Sequence, residues 1–177
     1  MTRANPLPAL WLLSDERNDA VLEHALAHLP RGNAFVFRHY HLDDKARRQR
    51  FEGLTAAARA RDHLMILSGP AELAQEWGVD GIYGPPEKLG KLPGLLRLAT
   101  AHDAREIVLA NRAGADGLFL SPVFPTRSHP GGGCLGPVKF HELAVQAEMP
   151  VIALGGMTAE RARHLDWPRW AAIDGLS

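Results

Sequence analysis

A loop rich in anion-binding groups follows an apolar run in the second half of the chain. Residues 119–136 read FLSPVFPTRSHPGGGCLG, in which prolines stiffen the exit and glycines permit unusual backbone angles. Thr126 and Ser128 supply hydroxyl donors. Arg127 adds a positive charge, and His129 can carry a proton. We expect this segment to close over an anionic substrate, although an ordinary surface loop has a similar composition.

Two shorter segments contain groups of related chemistry. In LGGMT, Gly155 and Gly156 stand between an apolar run and a helical pattern, where backbone N–H groups could bind a phosphate. A tight turn alone would also explain two glycines there. Thr100 and His102 follow another apolar run, at a position suited to an acid or base. A histidine near a helix start is more often a surface or capping residue.

Patterns for metal and nucleotide sites are weak. His39 and His41 are separated by one residue, but no third ligand follows at useful spacing, so we interpret both as solvated strand-end residues. Cys134 is the only cysteine, which excludes an internal disulfide and a thiolate cluster. Neither a Walker loop nor a Rossmann glycine fingerprint is present. We therefore expect neither a histidine or thiolate metal site nor nucleotide binding of the Walker or Rossmann kind.

Strands and helices alternate along the chain and must position these groups. Helical patterns separate most of the apolar runs, and the connections are short. The runs that read as strands are 9–14, 34–38, 63–68, 80–84, 95–100, 116–121, 150–156 and 170–177. This pattern predicts a single small (β/α)8 TIM-type barrel with its last helix missing, and an open flavodoxin-type sheet is the alternative. Reactive groups of such barrels lie on loops at the C-terminal ends of the strands.

Composition narrows the class of protein. The chain has 177 residues, 46% hydrophobic and 23% charged, which is typical of one soluble globular domain over residues 1–177. Its net charge is zero, so we expect neither a nucleic-acid nor a membrane partner. Because no apolar run could span a membrane and no signal-peptide core is apparent, we expect a cytoplasmic protein. A barrel face without a covering helix could bind a second copy, which leaves a homo-oligomer open.

Two segments resemble the thiamine-phosphate synthase/TenI family. They are GADGLFLSPVFPTRSHPGGGCLG at 114–136 and PVIALGGMT at 150–158, and the spacing between them also fits. Weaker similarity at WGVDGIYGPPE (77–87) and FVFRHYH (35–41) extends the resemblance over most of the chain. The resemblance implies a (β/α)8 barrel, in agreement with the strand count, and a phosphorylated thiazole as small-molecule ligand.

The thiazole half of the family's motif is present. By this resemblance, Thr126 and Ser128 bind the substrate, and Gly155 and Gly156 hold its phosphate. His129 stands where many synthases place a lysine, and we assign it to the same substrate-binding loop.

The pyrimidine half departs from the family. A synthase joins a hydroxymethylpyrimidine diphosphate to a thiazole phosphate, and Mg²⁺ and cationic side chains must neutralise the leaving diphosphate. A typical synthase has Gln-x-Arg-x-Lys on the second strand, where this chain has Val36, Arg38 and Tyr40. Alternation places these three side chains on one face, so only the guanidinium remains.

The family's Mg²⁺-binding carboxylates are missing at the matching positions. Ser68-Gly69 replaces the Asn-Asp pair after the third strand, and only Glu87 could replace the aspartate after the fourth. Asp174 stands where the family places a phosphate-contacting serine, and its charge would repel a nearby phosphate. These departures argue against full synthase activity.

The main hypothesis is therefore a TenI-like thiazole tautomerase that requires no cofactor. The TenI branch carries its acid/base histidine after the fifth strand, where this chain has His102, and we assign Arg38 and Thr100 to substrate binding. The first alternative is a divergent thiamine-phosphate synthase that uses Mg²⁺, with Arg38 and Glu87 replacing the missing ligands. The second alternative is a non-catalytic phosphate-binding or regulatory barrel.

Overall fold

Eight parallel strands form a closed ring in chain order, in a computed structural model that describes residues 6–177. The ring closes because β1 pairs with both β2 and β8. The strands β1 to β8 are Leu10–Leu13, Ala34–Phe37, Leu64–Ser68, Gly81–Gly84, Leu96–Ala101, Gly117–Leu120, Val151–Ala153 and Trp170–Ala172. This closure confirms the predicted TIM-type barrel, and the open-sheet alternative is wrong.

Six α-helices pack around the strands in the described part of the chain. Helices α1 to α6 are Leu22–His28, Asp44–Arg59, Ala71–Trp77, Ala104–Ala113, Gly136–Ala144 and Ala159–Leu165. Three 3₁₀ helices complete the described elements: Glu16–Val21, Pro86–Lys88 and Asp174–Leu176. Within residues 6–177, β8 is followed by a 3₁₀ turn rather than an α-helix, and none of the helices has the length and apolar character needed to cross a membrane.

Polar side chains begin several of the helices. The side chains of Asp43, Asp103 and Thr158 accept hydrogen bonds from backbone N–H groups in the first turns of α2, α4 and α6. Each bond satisfies a donor that has no partner within its own helix. The cap at Thr158 sets where the loop after β7 ends.

Large side chains fill the interior of the barrel. Trp11 and Tyr83 both meet the ring of Phe119 edge-on, with centroid separations of 5.4 and 5.0 Å. These rings belong to an inner cluster that includes Val36 and Ile173, while a second cluster joins the outer strand faces to the helices. The barrel is thus a packed core, and a ligand can enter only at its ends.

His63 is a buried histidine whose neutral form is required by its contacts. Its Nδ1 accepts the N–H of Asn33 at 3.2 Å, and its Nε2 lies 3.0 Å from the carbonyl oxygen of Leu26, to which it donates. Protonation of Nδ1 would break the first bond. Burial lowers the pKa of His63, outweighing the opposite effect of the Leu26 carbonyl.

We therefore expect the protein to lose stability in mild acid. The unfolded chain takes up a proton near the ordinary histidine pKa of about 6.5, whereas folded His63 resists it, so stability falls as pH drops through that value. Thermal melts should show a lower Tm at acid than at neutral pH. His63→Gln should weaken this dependence, whereas His164→Gln, an exposed position on α6, should preserve it. An unchanged slope in His63→Gln would contradict the assignment.

Candidate functional site

One end of the barrel opens into a pocket of about 1210 Å³, lined by residues at or after the C-terminal ends of all eight strands. All the proposed catalytic, substrate-binding and phosphate-binding residues line it: Arg38, Thr100, His102, Thr126, Ser128, His129, Gly155 and Gly156. Glu87 is exposed and lies outside this lining, while its neighbour Lys88 contributes to it. The eight candidates therefore share one cavity.

The loop after β6 packs directly against the glycine corner after β7. The N–H of Val123 donates to the carbonyl of Leu154 at 2.9 Å, and that of Phe124 donates to Gly155 at 3.0 Å. At Gly155, where φ is +103°, an added Cβ would lie 2.6 Å from the Cα of Pro122. Only glycine permits this backbone angle together with such a close approach.

The backbone N–H groups of Gly155 and Gly156 remain free. Among residues 6–177, neither N–H donates to a protein acceptor, although both carbonyls are engaged, Gly155 by Phe124 and Gly156 by Arg161. The Arg161 Nη1 donates to the Gly156 carbonyl at 2.5 Å. Two adjacent free donors beside a guanidinium form an arrangement that can bind an oxyanion.

Cationic side chains outnumber acidic ones in the described pocket lining. They are Arg17, Arg38, Lys88, Arg127 and Arg161. Within the described residues the lining contains one carboxylate, Asp174, which lies 3.4 Å from Arg17 Nη2 and 4.0 Å from Arg127 Nη1. Because cations outnumber this carboxylate, the pocket favours an anionic ligand.

The loop hydroxyls are linked to the other side of the pocket. Arg17 Nη2 donates to Ser128 Oγ at 3.2 Å, and the Ser128 N–H donates to Thr126 Oγ1 at the same distance. Arg17 therefore joins the loop after β6 to Asp174 after β8. Sequence reasoning missed Arg17, although its position four residues after β1 follows the same rule that identified the other candidates.

Substituting Asp174 should strengthen anion binding. In Asp174→Asn, Arg17 and Arg127 lose their contacts with the Asp174 carboxylate, while Arg17 keeps its pairing with Asp15. Affinity for inorganic phosphate should therefore rise roughly threefold to tenfold, a modest gain because the Asp174 carboxylate is partly exposed. Calorimetric titration measures the change. Asp62→Asn, which removes a carboxylate paired with Arg31 before β3, is the matched control and should leave affinity unchanged. Equal or weaker binding by Asp174→Asn would contradict this role.

Arg38 is already engaged by the loop after β1. Its Nε donates to the carbonyl of Ser14 at 2.9 Å, and its Nη2 donates to Asp15 Oδ2 at 2.9 Å. Tyr40 lies beside it and contacts the Ser68 hydroxyl. Tyr83, a buried residue of β4, also lines the pocket, and desolvation raises the pKa of its phenol to about 12. This side of the pocket therefore presents phenol and hydroxyl groups.

His102 contacts a carboxylate at the start of α4. Its Nδ1 lies 2.8 Å from Glu106 Oε2, and its backbone N–H donates to the same oxygen at 2.6 Å. Nε2 has no protein partner among residues 6–177. The side chain is 54% exposed. The carboxylate thus orients the imidazole while one ring nitrogen stays available to a ligand.

The interpretation of His39 as a solvated residue is wrong. It is fully buried, with Nε2 2.7 Å from Asp19 Oδ1 and Nδ1 2.8 Å from Ser14 Oγ. Burial lowers the pKa of His39 and outweighs the nearby Asp19. The contacts come from elements about twenty residues earlier, so local sequence could not reveal them. His41 is exposed, as predicted.

A family model and several relatives match the chain. The model described as "Thiamine monophosphate synthase" matches residues 10–166. The chain belongs to this family. A putative thiamine-phosphate synthase 2 of Aquifex aeolicus is 26% identical over 166 residues, 89% of each chain. The thiamine-phosphate synthase of Geobacillus thermodenitrificans is 36% identical over 124 residues, which cover 63% of this chain and 53% of the relative.

Solved structures resemble the barrel as a whole. A thiamine phosphate pyrophosphorylase from Pyrococcus furiosus aligns with a TM-score of 0.76 at 22% identity, covering 93% of this chain and 85% of the other. FabK from Thermotoga maritima aligns with a TM-score of 0.73 at 16% identity, covering 96% and 58%. At these identities the similarity establishes the fold alone, and function must be argued from the pocket.

The pocket does not fit the Mg²⁺ ion that a synthase reaction in this family implies. Magnesium prefers carboxylate oxygens together with substrate phosphates. Among the described lining residues the only carboxylate, Asp174, lies beside two arginines, and Glu87 is outside the lining. At the position of the family's Asn-Asp pair, Ser68 offers a hydroxyl that contacts Tyr40. The pocket therefore suits an anion better than a metal–diphosphate complex.

Proposed function

We propose that the chain binds a phosphorylated thiazole in this pocket. The observation that supports this most strongly is the pair of N–H groups of Gly155 and Gly156, which donate to no acceptor among residues 6–177 and belong to residues lining a cavity with a surplus of cationic side chains. A phosphate there would accept from both amides and lie near Arg161. The ring would then extend towards Thr126 and Ser128, whose hydroxyls line the same cavity.

The catalytic step that the pocket supports best is proton transfer by His102. Glu106 orients the imidazole through Nδ1, and Nε2 would take a proton from one position of the ring and return it to another. Such an isomerisation needs no metal and no leaving group. It corresponds to the thiazole tautomerase activity of the TenI type.

The second candidate is the synthase reaction, which the names of the matched relatives favour. It would join a pyrimidine diphosphate to the thiazole phosphate with loss of pyrophosphate. Arg38 could contact the diphosphate only by giving up its bonds to Ser14 and Asp15. Glu87 could bind Mg²⁺ only after the turn at Pro86–Lys88 moves it into the pocket. A non-catalytic binding protein is the third candidate.

One pair of assays separates the three candidates. The protein is incubated with a thiazole carboxylate phosphate in D₂O, and separately with hydroxymethylpyrimidine diphosphate, thiazole phosphate and Mg²⁺. We expect ring isomerisation with deuterium incorporation in the first mixture and no thiamine phosphate in the second. Thiamine phosphate formation at an ordinary enzymatic rate would establish the synthase reaction instead. Saturable binding without turnover in either mixture would indicate the non-catalytic protein.

A further inference from the structure

Three potential metal ligands lie close together where the segment after β2 meets the 3₁₀ helix before α1. Asp19 lies on the 3₁₀ helix before α1, and His39 and His41 follow β2. One ligand atom from each lies within 4.8 Å of the other two. None of these three residues lines the pocket. The cluster is therefore separate from the proposed phosphate site and needs its own explanation.

His39 is buried and is held in place by polar contacts and ring stacking. Its Nδ1 lies 2.8 Å from Ser14 Oγ, and its ring stacks on Phe37 with centroids 4.5 Å apart and an angle of 14° between planes. Its backbone adopts φ +43°, in the left-handed region that non-glycine residues rarely occupy. A hydrogen bond to the distal ring nitrogen is the contact that orients a metal-binding histidine. Nε2 points to Asp19.

The charges around the cluster permit a cation. Arg50 donates to Asp19 Oδ1 at 2.6 Å and also pairs with Glu23, so two carboxylates face one guanidinium and one negative charge remains. In the part of the chain that the structure describes, Asp19 Oδ2 and the His41 ring have no hydrogen-bond partner. One carboxylate oxygen and one imidazole are thus still available.

We propose that Asp19, His39 and His41 bind a divalent transition-metal ion, with Zn²⁺ as the expected occupant. Two imidazoles and one carboxylate are ligands that Zn²⁺ accepts in tetrahedral sites, with water at the fourth position. Ligand atoms of such a site lie about 3.3 Å apart. The ligand atoms here lie within 4.8 Å of one another, so a metal must draw them closer together. Exposed His41 and half-buried Asp19 can make this movement, while buried His39 provides the fixed ligand.

A metal here would order part of the pocket wall. Arg38 and Tyr40, which line the pocket, alternate with the two histidines along the chain. Fixing His39 and His41 would restrict the backbone between them and so the position of the Tyr40 ring. The metal site does not depend on the proposed function, and it can be tested on the protein without any substrate.

Cobalt titration of the untagged, chelator-treated protein tests the site. We expect one equivalent of Co²⁺ to produce the intense visible absorption of tetrahedral coordination, and Zn²⁺ to displace it. His41→Gln, at an exposed position that should not disturb folding, should weaken binding at least roughly tenfold. Asp19→Asn should weaken it as well, with folding verified by circular dichroism.

A second pair of histidines on the protein could also bind cobalt, and the matched control variant removes one of them. His24 and His28 lie one turn apart on α1, with ring centroids 4.0 Å apart, and could themselves bind a metal. His24→Gln should leave the cobalt spectrum and stoichiometry unchanged. Loss of binding in His24→Gln with full binding in His41→Gln would overturn the proposal. Absence of any saturable spectral change in the unmodified protein would overturn it too.

Discussion

Replacing His102 by alanine is expected to reduce the rate of proton exchange into a thiazole carboxylate phosphate roughly 10²- to 10⁴-fold, the usual contribution of a positioned acid or base. The loss should appear in kcat, because His102 is assigned to proton transfer rather than to ground-state binding. The affinity of the pocket for the phosphorylated ligand should change little, since the glycine amides and Arg161 are untouched. Exchange followed by NMR measures the rate.

The orienting carboxylate provides a second, smaller test of the same pair. Glu106→Gln keeps the side-chain volume but removes the charge that contacts Nδ1, so it should lower kcat less than the loss of the imidazole does. His164→Ala, at an exposed position on α6 outside the pocket lining, is the matched control and should retain full activity. Full activity in His102→Ala would remove this histidine from the mechanism.

The substitution Gly156→Ala should damage both the ligand site and the fold. At φ +61° a side chain is strained, and a methyl group there would collide with the carbonyl oxygen of Pro125. Strain and overpacking together should cost about 2 to 4 kcal/mol of unfolding free energy. The loop after β6 would have to move away from the corner, so phosphate affinity should fall at least roughly tenfold. Urea unfolding and calorimetric titration measure the two effects.

An exposed glycine provides the control for this substitution. Gly53 lies within α2, and an added Cβ there meets no atom within 4 Å. Gly53→Ala should therefore stabilise the protein by about 0.5 to 1 kcal/mol through reduced freedom of the unfolded chain. Phosphate affinity should be unchanged. If Gly156→Ala behaves like Gly53→Ala in both measurements, the close packing of loop and corner is wrong.

Strand order and site location could be predicted because they depend on local pattern and on a general rule of the fold. Apolar runs between helical patterns identified all eight strands, and the C-terminal ends of parallel strands indicated where the loops converge. The last two strands were predicted too long. Leu154 and Ile173 follow the last paired residues of β7 and β8, and both pack in the inner cluster. The apolar runs in the sequence therefore extend beyond the ends of these two strands.

Long-range contacts account for most of what the sequence could not show. The segment before α1 forms a 3₁₀ helix, Glu16–Val21, rather than an α-helix. Buried Asn18 in this segment donates to the carbonyls of Leu13 and Ile173, and Ile173 is far away in the chain. The contact between His39 and Asp19 likewise joins separate elements. The pairing of Asp174 with Arg17 also joins the segments that follow β8 and β1. Such partners follow only from the assembled barrel.

The central claim is that the Gly155–Gly156 corner and the loop after β6 bind a phosphate together. Titration of ¹⁵N-labelled protein with thiazole phosphate tests it most directly, because each glycine N–H reports its own hydrogen bond. We predict saturable shifts of the Gly155 and Gly156 amide signals, accompanied by Ser128 and absent for Gly53. Saturable shifts elsewhere with these two amides unmoved would contradict the account.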